Sequence, residues 1–528
     1  MGRSMRVVSL GVLLSRLLGL ARDMAFARVW GTGLGMSAWV FAFTIPNLFR
    51  ALFGEGAFTS AFIPIFSAEL VGRGKEAAWR AACRVVSVLA VVLGGLTLLA
   101  MVACWCLAPF LAKPVFQKGL ELTPALLPYA VLVCVAGALA GVLNTLKRFT
   151  VPAFTPLLLN LLLLAAAGVA WLANRHDGQP QKWIVATIPA VLLAGFLHVW
   201  IHLQVVRRRE GLRFRFDPDF QAPEVRKIMT LMAPVMVGTG MIQLNVLVDR
   251  LLAGWLGEAA ITSLYYSQRL IYLPVGLFGV AASVVLLPAM ARAWAAGDQP
   301  ALLRDLRYSL RHVWFMSLPM AVMLGWLGRE SLDLMFGGGR FDEASLHATW
   351  WALVWYVPGI PFFALVKPAA AAFHARQDTR TPVRVAWGCM LLNLALNLTL
   401  MWPMRQGGLA LATSLSSGAN LALLLILFRR QTGLAALGPA LPAFGRVALA
   451  AATMIPAAWA AGRLAHWFLP LGWNPRAFLV KGWLLALPLA AGYGAFLLAA
   501  LLLRCAEVGE LAGDWRAKLR RRRAVPSR

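Results

Sequence analysis

Charged side chains interrupt an apolar segment near the amino terminus, and their spacing brings them to one side of a helix. Arg16, Arg22 and Asp23 are separated by leucine, glycine and alanine. At about 100° per residue, these three fall with Ser15 and Gly19 within one arc of about 120°. An ionisable residue inside a bilayer costs roughly 2.5–3.5 kcal/mol on insertion scales, so such a stripe needs polar surroundings. We therefore interpret it as the face of a helix that lines a polar cavity.

Two later apolar segments add cations to this set. Arg50 and Glu55 lie in the second segment, and Arg269 lies beside Gln268 in the eighth. The arginines outnumber the nearby acids, Asp23 and Glu55. A surplus of cations at membrane depth predicts an anionic ligand, and the planar guanidinium group suits a diphosphate. Snorkelling cations or closed ion pairs are the structural alternative.

Other candidate sites have less support. His198 and His202 are four residues apart without a third metal ligand, so we expect them on an amphipathic helix surface. Arg28 and Arg250 lie near span ends, where snorkelling or a closed ion pair explains them better than ligand binding does, and we expect Arg28 at the membrane interface. The six cysteines include no Cys-x-x-Cys pair, which argues against a zinc site. The sequence has no Walker motif, no HExxH motif and no evident Ser/His/Asp set, so neither ATP-driven transport nor hydrolysis is indicated.

The composition is that of a polytopic membrane protein. Of 528 residues, 60% are hydrophobic and only 14% are charged, whereas a soluble domain is about one quarter charged. Basic cytoplasmic loops that face anionic lipid explain the net charge of +28 better than nucleic-acid binding does. The first segment lacks the small-residue cleavage site of a signal peptide, so we expect it to be retained as a helix.

Apolar runs and their polar breaks predict an all-α integral membrane fold of about fourteen transmembrane helices. The predicted spans are residues 7–30, 35–70, 85–111, 123–146, 152–173, 183–206, 229–256, 261–291, 311–336, 346–373, 382–402, 408–428, 444–466 and 478–503. The second and eighth runs exceed about 25 residues, so we expect them to be tilted or bent. Lysine and arginine are concentrated after every second span, which predicts that both termini lie in the cytoplasm.

The chain repeats its own spacing of polar residues. Asp23 precedes Ser37 by fourteen residues, as Asp249 precedes Ser263. Two six-helix halves related by an internal repeat, followed by two extra helices, are therefore predicted, and paired halves are usual in alternating-access transporters. The predicted divisions are an amino-terminal lobe (1–206), a basic linker (207–228), a second lobe (229–430), two extra helices (431–504) and a basic tail (505–528).

Three stretches of the sequence carry a family resemblance. These are residues 15–23 (SRLLGLARD), residues 46–58, with Pro-Asn-Leu-Phe-Arg and Gly-Glu-Gly-Ala-Phe, and residues 265–276, which begin Tyr-Tyr-Ser-Gln-Arg-Leu. In this order they resemble the MurJ (MviN) family of lipid II flippases, in the MOP transporter superfamily. The resemblance extends along essentially the whole chain, including the two extra helices.

The resemblance implies a flippase and not an enzyme. The implied substrate is undecaprenyl diphosphate carrying MurNAc-pentapeptide and GlcNAc, moved from the cytoplasmic to the periplasmic leaflet of the bacterial inner membrane. The implied diphosphate ligands are Arg16, Arg22, Asp23, Arg50 and Arg269, supported by Ser15, Asn47, Glu55 and Gln268. The last two helices are expected to line a groove for the lipid tail. Membrane lipids and cell-wall synthesis proteins are the expected partners, nucleic acid is not, and the expected state is a monomer.

The sequence departs from the family pattern at several polar positions. Ser37, Thr44 and Tyr272 stand where relatives often carry Asp, Lys and Glu, so a proton-coupling carboxylate would differ here. The resemblance leaves open one cofactor, a sodium ion bound by Asp249, Asn393, Asn397 and Thr413. Asn397 replaces an expected acid, which weakens that site, and interhelical hydrogen bonding by asparagine is the alternative.

Three alternative functions remain at this point. The first is another member of the superfamily, which flips a different polyprenyl-linked oligosaccharide or exports drugs by cation exchange, although a cationic cavity argues against cationic drugs. The second is a membrane enzyme acting on polyprenyl diphosphate, which would need more acids than Asp23 and Glu55. The third is a scaffold of the cell-wall machinery, which would not need cations at membrane depth.

Overall fold

A computed structural model describes residues 2–54, 57–433, 438–467, 478–510 and 513. Within these residues the regular elements are helices, and the one pairing of β type is an isolated bridge between Gly338 and Phe341. The helices are α1 (Gly2–Trp30), α2 (Leu34–Phe49), α3 (Ala57–Gly72), α4 (Gly74–Leu107), α5 (Pro114–Leu126), α6 (Pro128–Thr145), α7 (Thr150–Phe154), α8 (Pro156–Asp177), α9 (Thr187–Glu210), α10 (Pro223–Leu256), α11 (Ala260–Pro274), α12 (Ala281–Ala295), α13 (Gln299–Trp326), α14 (Gly328–Phe336), α15 (Glu343–Tyr356), α16 (Ile360–Ala375), α17 (Arg380–Met404), α18 (Gln406–Thr432), α19 (Leu441–Ala452), α20 (Met454–Trp467) and α21 (Phe478–Leu502). The predicted all-α fold is confirmed, whereas Glu55 lies outside the described residues.

The helices agree with the predicted membrane spans. In the described chain, eleven helical stretches are long and apolar enough to cross a membrane, and the pair α13–α14, bent by 77°, brings the number to twelve. The first and seventh predicted spans correspond to α1 and α10, which have 29 and 34 residues. At about 1.5 Å per residue, both exceed the hydrocarbon thickness of about 30 Å. Each predicted span therefore has a helical counterpart.

The two unusually long spans each contain a π-helical turn. The first π-turn, Arg50–Gly54, follows α2, and the second π-turn, Val275–Val280, lies between α11 and α12. Pro46 and Pro274 lie shortly before them, and a proline in a helix removes an N–H donor and displaces the preceding carbonyl. These interruptions explain why both runs exceed the length of a straight span, and π-turns are frequent at functional sites.

The internal repeat is visible in the turns that follow α6 and α16. Lys147 and Gln377 both have left-handed backbone conformations, with φ of 60° and 61°. In each turn the next N–H donates to the carbonyl five residues earlier, at 2.7 and 3.0 Å. The turns are 230 residues apart (377 − 147), close to the 226 residues (249 − 23) between the two aspartates of the sequence repeat. The predicted repeat is therefore confirmed.

The chain forms two compact units. Unit 1 comprises Met1–Thr262 and Phe336–Ser345, and unit 2 comprises Ser263–Met335 and Leu346–Arg528. The core of unit 1 joins α3, α4, α6 and α10. In unit 2, one apolar cluster lies among α12, α13, α16 and α18, and another packs the extra helices α19 and α21 against α13. The lobe boundaries drawn from the repeat stay predictions.

Candidate functional site

The polar stripe of α1 contains a buried hydrogen-bonded pair. Arg22 is 7% exposed and Asp23 is 1% exposed. The Nε and Nη2 atoms of Arg22 donate to Oδ1 of Asp23 at 3.0 and 2.7 Å. Nη1 of Arg22 donates to Oδ1 of Asn160 on α8 at 2.9 Å. The charge of Arg22 is thus balanced by Asp23, and its hydrogen-bond donors are largely used within unit 1.

Asn160 is a partner that the sequence analysis missed. Its amide also donates to the main-chain oxygen of Ser15, at 3.3 Å. A Cβ at Gly19 would lie 3.7 Å from Asn160 Nδ2, so the small residue keeps α1 close to this amide. In the sequence, this contact is indicated by a single asparagine within the leucine run 157–164. Part of the predicted cavity stripe is therefore a helix–helix contact with α8.

Arg16 and Arg28 are the exposed arginines in the described side chains of α1. Arg16 lies on the predicted polar stripe, with its side chain outside the contact with α8. Arg28 is in the last turn of the helix, where its carbonyl accepts the N–H of Arg340 at 2.9 Å. These positions agree with a ligand role for Arg16 and an interfacial position for Arg28.

Arg50 begins the first π-turn and is half-buried. Its Nε donates to Oδ1 of Asn47 at 3.2 Å, so the two residues predicted together do contact each other. The turn packs closely on α6, since a Cβ on Gly137 would lie 2.6 Å from the oxygen of Gly54. Cys134 donates from Sγ to the oxygen of Phe49 at 3.6 Å. Backbone packing therefore fixes the place from which Arg50 projects.

Arg269 is exposed and belongs to unit 2. Its Nη2 donates to the hydroxyl of Tyr265 at 2.6 Å, and its guanidinium carbon lies 4.7 Å from the centre of that ring. The neighbouring Gln268 donates from Nε2 to the hydroxyl of Tyr356 at 3.0 Å. Gln268 thus attaches α11 to α15, whereas Arg269 is oriented by the tyrosine one turn earlier.

The predicted sodium ligands fall into two groups. In unit 2, Asn397 donates from Nδ2 to Asn393 Oδ1 at 3.0 Å, and Asn393 donates to Thr413 at 3.5 Å. Asp249 is buried in α10 of unit 1. The unit 2 group connects α17 to α18 through neutral amides, which matches the interhelical hydrogen-bonding alternative. In the described part of the chain, no group of three His, Cys, Asp or Glu residues is arranged to hold a metal.

Two histidines expected on a helix surface are buried instead. His198 and His202 are 6% and 2% exposed; a ring nitrogen of His198 bonds to the carbonyl of Thr155, and His202 bonds to the carbonyl of His198 at 2.6 Å. The surface expectation for the two histidines is wrong, because both side chains pack inside the helical bundle. Arg250 is 6% exposed and donates to the carbonyl of Ile261 at 2.7 Å, a structural contact of the kind expected for it.

Comparison with known proteins gives the family. The family model described as "Lipid II flippase MurJ" matches residues 26–471. The chain belongs to the MurJ family. A probable lipid II flippase MurJ of Vibrio cholerae serotype O1 is 32% identical over 491 residues, covering 90% of this chain and 92% of that protein. A lipid II flippase MurJ of Burkholderia cenocepacia is 30% identical over 441 residues, covering 82% and 84%.

Solved structures show the same fold. A lipid II flippase MurJ in an inward closed conformation matches with a TM-score of 0.72 at 21% identity, over 94% of this chain and 98% of that one. An inward-facing MATE family multidrug resistance transporter of the MOP superfamily gives 0.65 at 12% identity, over 81% and 97%. As a member of the MurJ family, the chain is a multi-pass membrane transporter and not an enzyme, as predicted.

Proposed function

We propose that the protein moves lipid II from the cytoplasmic to the periplasmic leaflet of the bacterial inner membrane by alternating access. The observation that supports this most is a charge imbalance: apart from the interfacial Arg28, three arginines between Ser15 and Gly54 stand against one acid, Asp23. These residues lie in α1 and the first π-turn, among apolar side chains. Surplus cations at membrane depth need an anion, and a diphosphate offers several oxygens to guanidinium groups.

The arginines have different parts in this proposal. Arg16 and Arg50 bind diphosphate oxygens directly, with Arg50 oriented by Asn47. Arg22 is held by Asp23 and Asn160, so it positions the stripe while Asp23 balances its charge. In unit 2, Arg269 is a further phosphate ligand.

The substrate is tested by depleting the protein in cells that depend on it. We expect the lipid-linked peptidoglycan precursor to accumulate in the cytoplasmic leaflet, because its synthesis continues while its transfer stops. Lipid extraction with leaflet-specific labelling of the headgroup measures this. Accumulation of a different polyprenyl-linked sugar would instead favour the related flippase function considered above.

The topology is also part of the proposal, with both termini in the cytoplasm. In a variant lacking the native cysteines, single cysteines at Arg209 and Arg430 should react only with reagent on the cytoplasmic side, and one at Gln179 only from the periplasm. These exposed positions lie beside the helix-ending glycines of α9, α18 and α8, whose φ values of 72°, 70° and 67° make the glycines themselves poor sites for substitution. Labelling of Gln179→Cys from the cytoplasm would contradict the span count.

The membrane potential is the proposed driving force, since the sequence has no nucleotide-binding motif. Each net charge that crosses 100 mV contributes about 2.3 kcal/mol. Arginines that partly neutralise the diphosphate leave little net charge to move outward, whereas the unloaded, cationic carrier is drawn back toward the negative cytoplasm. Collapsing the potential with a potassium ionophore at constant pH gradient should therefore stop flipping and leave the carrier outward-facing.

Cysteine accessibility from each side of the membrane measures this conformational balance. Sodium-free medium serves as the comparison and should have less effect, because Asn397 stands where relatives carry an acid. A balance that does not change when the potential is collapsed would contradict potential-driven resetting. A large response to sodium alone would indicate that transport is coupled to sodium bound by Asp249 and the amides of α17.

A further inference from the structure

The enclosed helix α16 carries an ammonium group inside the membrane. Lys367 is in the middle of α16, the second helix of the stretch Glu343–Ala375, which is one of the two candidate spans with the largest buried share, 50%. Ten of the sixteen residues of α16 are buried, and the exposed ones are Lys367 and His374. These two are seven residues apart, so they lie on one narrow line of the helix. Ionisable residues in membrane spans almost always face the bundle interior or a water-filled cavity, so we expect this line to face water and not acyl chains.

Lys367 has no ion-pair or hydrogen-bond partner among the described residues of the chain. Among the helices that pack on α16, α12 and α18 contain no acidic residue, and α13 contains one, Asp305, in its second turn. A cation at this depth is costly without an anion. Since no described contact of the chain neutralises Lys367, its ammonium group can bind an anion that a ligand supplies.

The internal repeat gives Lys367 a defined position relative to the second π-turn. With the 230-residue offset of the matching turns, Lys367 corresponds to Gly137 (367 − 230) and Ala364 to Cys134. In unit 1, Gly137 lies against the first π-turn. In unit 2, a Cβ on Gly279 would lie 2.7 Å from the oxygen of Ala364, so the second π-turn packs on α16 one helical turn before Lys367.

In both units a cation lies beside the contact between the π-turn and the helix that faces it, but a different element supplies it. In unit 1 the π-turn supplies Arg50, and the facing position on α6 is Gly137. In unit 2 the π-turn, Val275–Val280, has no charged residue, and the facing helix supplies Lys367 instead. Each π-turn thus has one cation beside it, although the sequence positions do not correspond.

We propose that Lys367 binds an anionic oxygen group of the transported headgroup and is a substrate ligand of unit 2, as Arg50 is of unit 1. The inference rests on the proposed function. The anionic group is either a diphosphate oxygen or a carboxylate of the pentapeptide, since an ammonium ion binds both as a point charge.

The test measures binding of two probes, lipid II and undecaprenyl diphosphate, to the purified full-length protein in lipid nanodiscs. Lys367→Met keeps the length of the side chain and removes its charge, Lys367→Gln is a second neutral variant, and Lys367→Arg keeps the charge. The matched control is Lys118→Met, which removes a cation from an exposed pair with Glu121 on α5. Thermal unfolding of each variant establishes that it is folded.

We expect both neutral variants to bind lipid II about tenfold more weakly, the usual size for loss of a charged hydrogen bond. Lys367→Arg and Lys118→Met should bind within about threefold of the wild-type protein. A weaker affinity for both probes assigns Lys367 to the diphosphate, and a weaker affinity for lipid II alone assigns it to the peptide.

Two other results have separate meanings. If the wild-type protein binds lipid II and folded neutral variants bind it equally well, the inference about Lys367 is overturned and the proposed function stands. If the wild-type protein binds neither probe, the proposed function fails, and the inference fails with it.

Discussion

Replacing Arg50 with alanine is expected to abolish growth in cells that depend on this protein, while its amount in the membrane stays near normal. Arg50 projects from the first π-turn, whose shape is set by backbone packing of Gly54 against α6 and not by the arginine side chain. The substitution therefore removes the proposed phosphate ligand, and we expect the fold to be retained. Loss of one charged hydrogen bond weakens binding by about 10- to 100-fold. Complementation of a depletion strain, with immunoblotting of membranes, measures both quantities.

Two further variants serve as comparisons for Arg50→Ala in this experiment. Arg28→Ala removes an exposed arginine in the last turn of α1 and should support growth. Asn47→Ala leaves the charge of Arg50 but removes the 3.2 Å hydrogen bond that orients it, so an intermediate defect is expected. Growth of the Arg50→Ala strain equal to that of the Arg28→Ala strain would contradict the proposed diphosphate site. Arg16→Ala and Arg269→Ala are expected to resemble Arg50→Ala.

Arg22→Ala is expected to fail for a different reason, by lowering the amount of folded protein as well as transport. Asp23 is 1% exposed and accepts two hydrogen bonds from Arg22. Removing one member of a buried pair leaves an uncompensated charge, at a cost of about 3–5 kcal/mol. Since many proteins are stable by only about 5–15 kcal/mol, the membrane level should drop visibly. Quantitative immunoblotting and thermal unfolding in detergent measure this effect.

A double variant separates the structural part of Arg22 from its part in transport. Arg22→Ala with Asp23→Asn removes both charges, so the buried acid no longer needs a partner. We expect the membrane level to recover largely and growth to remain absent, because the contact of Arg22 with Asn160 that positions α1 against α8 is still lost. Recovery of growth in the double variant would show that Arg22 serves only to neutralise Asp23. Asn160→Ala, which removes the hydrogen bonds with Arg22 and the Ser15 carbonyl but leaves the Arg22–Asp23 pair, should have a milder effect on both readouts.

The sequence alone determined the fold class, the spans, the repeat and the surplus of cations within apolar segments. Those properties are local: an apolar run of sufficient length must be a helix in a bilayer, since lipid offers no hydrogen bonds to the backbone. Arginines within such a run, at residues 16, 22 and 50, are visible without knowing what packs on them. The spacing of Asp23 and Asp249 likewise showed the repeat before any turn geometry was known.

Tertiary structure decided what each polar side chain contacts. Arg22 meets Asn160 across 138 residues of sequence, and the rotation of α8 that brings them together depends on packing along the whole helix. Helix packing also explains the burial of His198, His202 and Arg250. Their partners are main-chain carbonyls, which have no sequence signature. A single lysine in an apolar run gave no reason for attention until α16 proved to be enclosed by protein. Helix rotation is set by many weak side-chain contacts between distant segments, and one sequence does not reveal their sum.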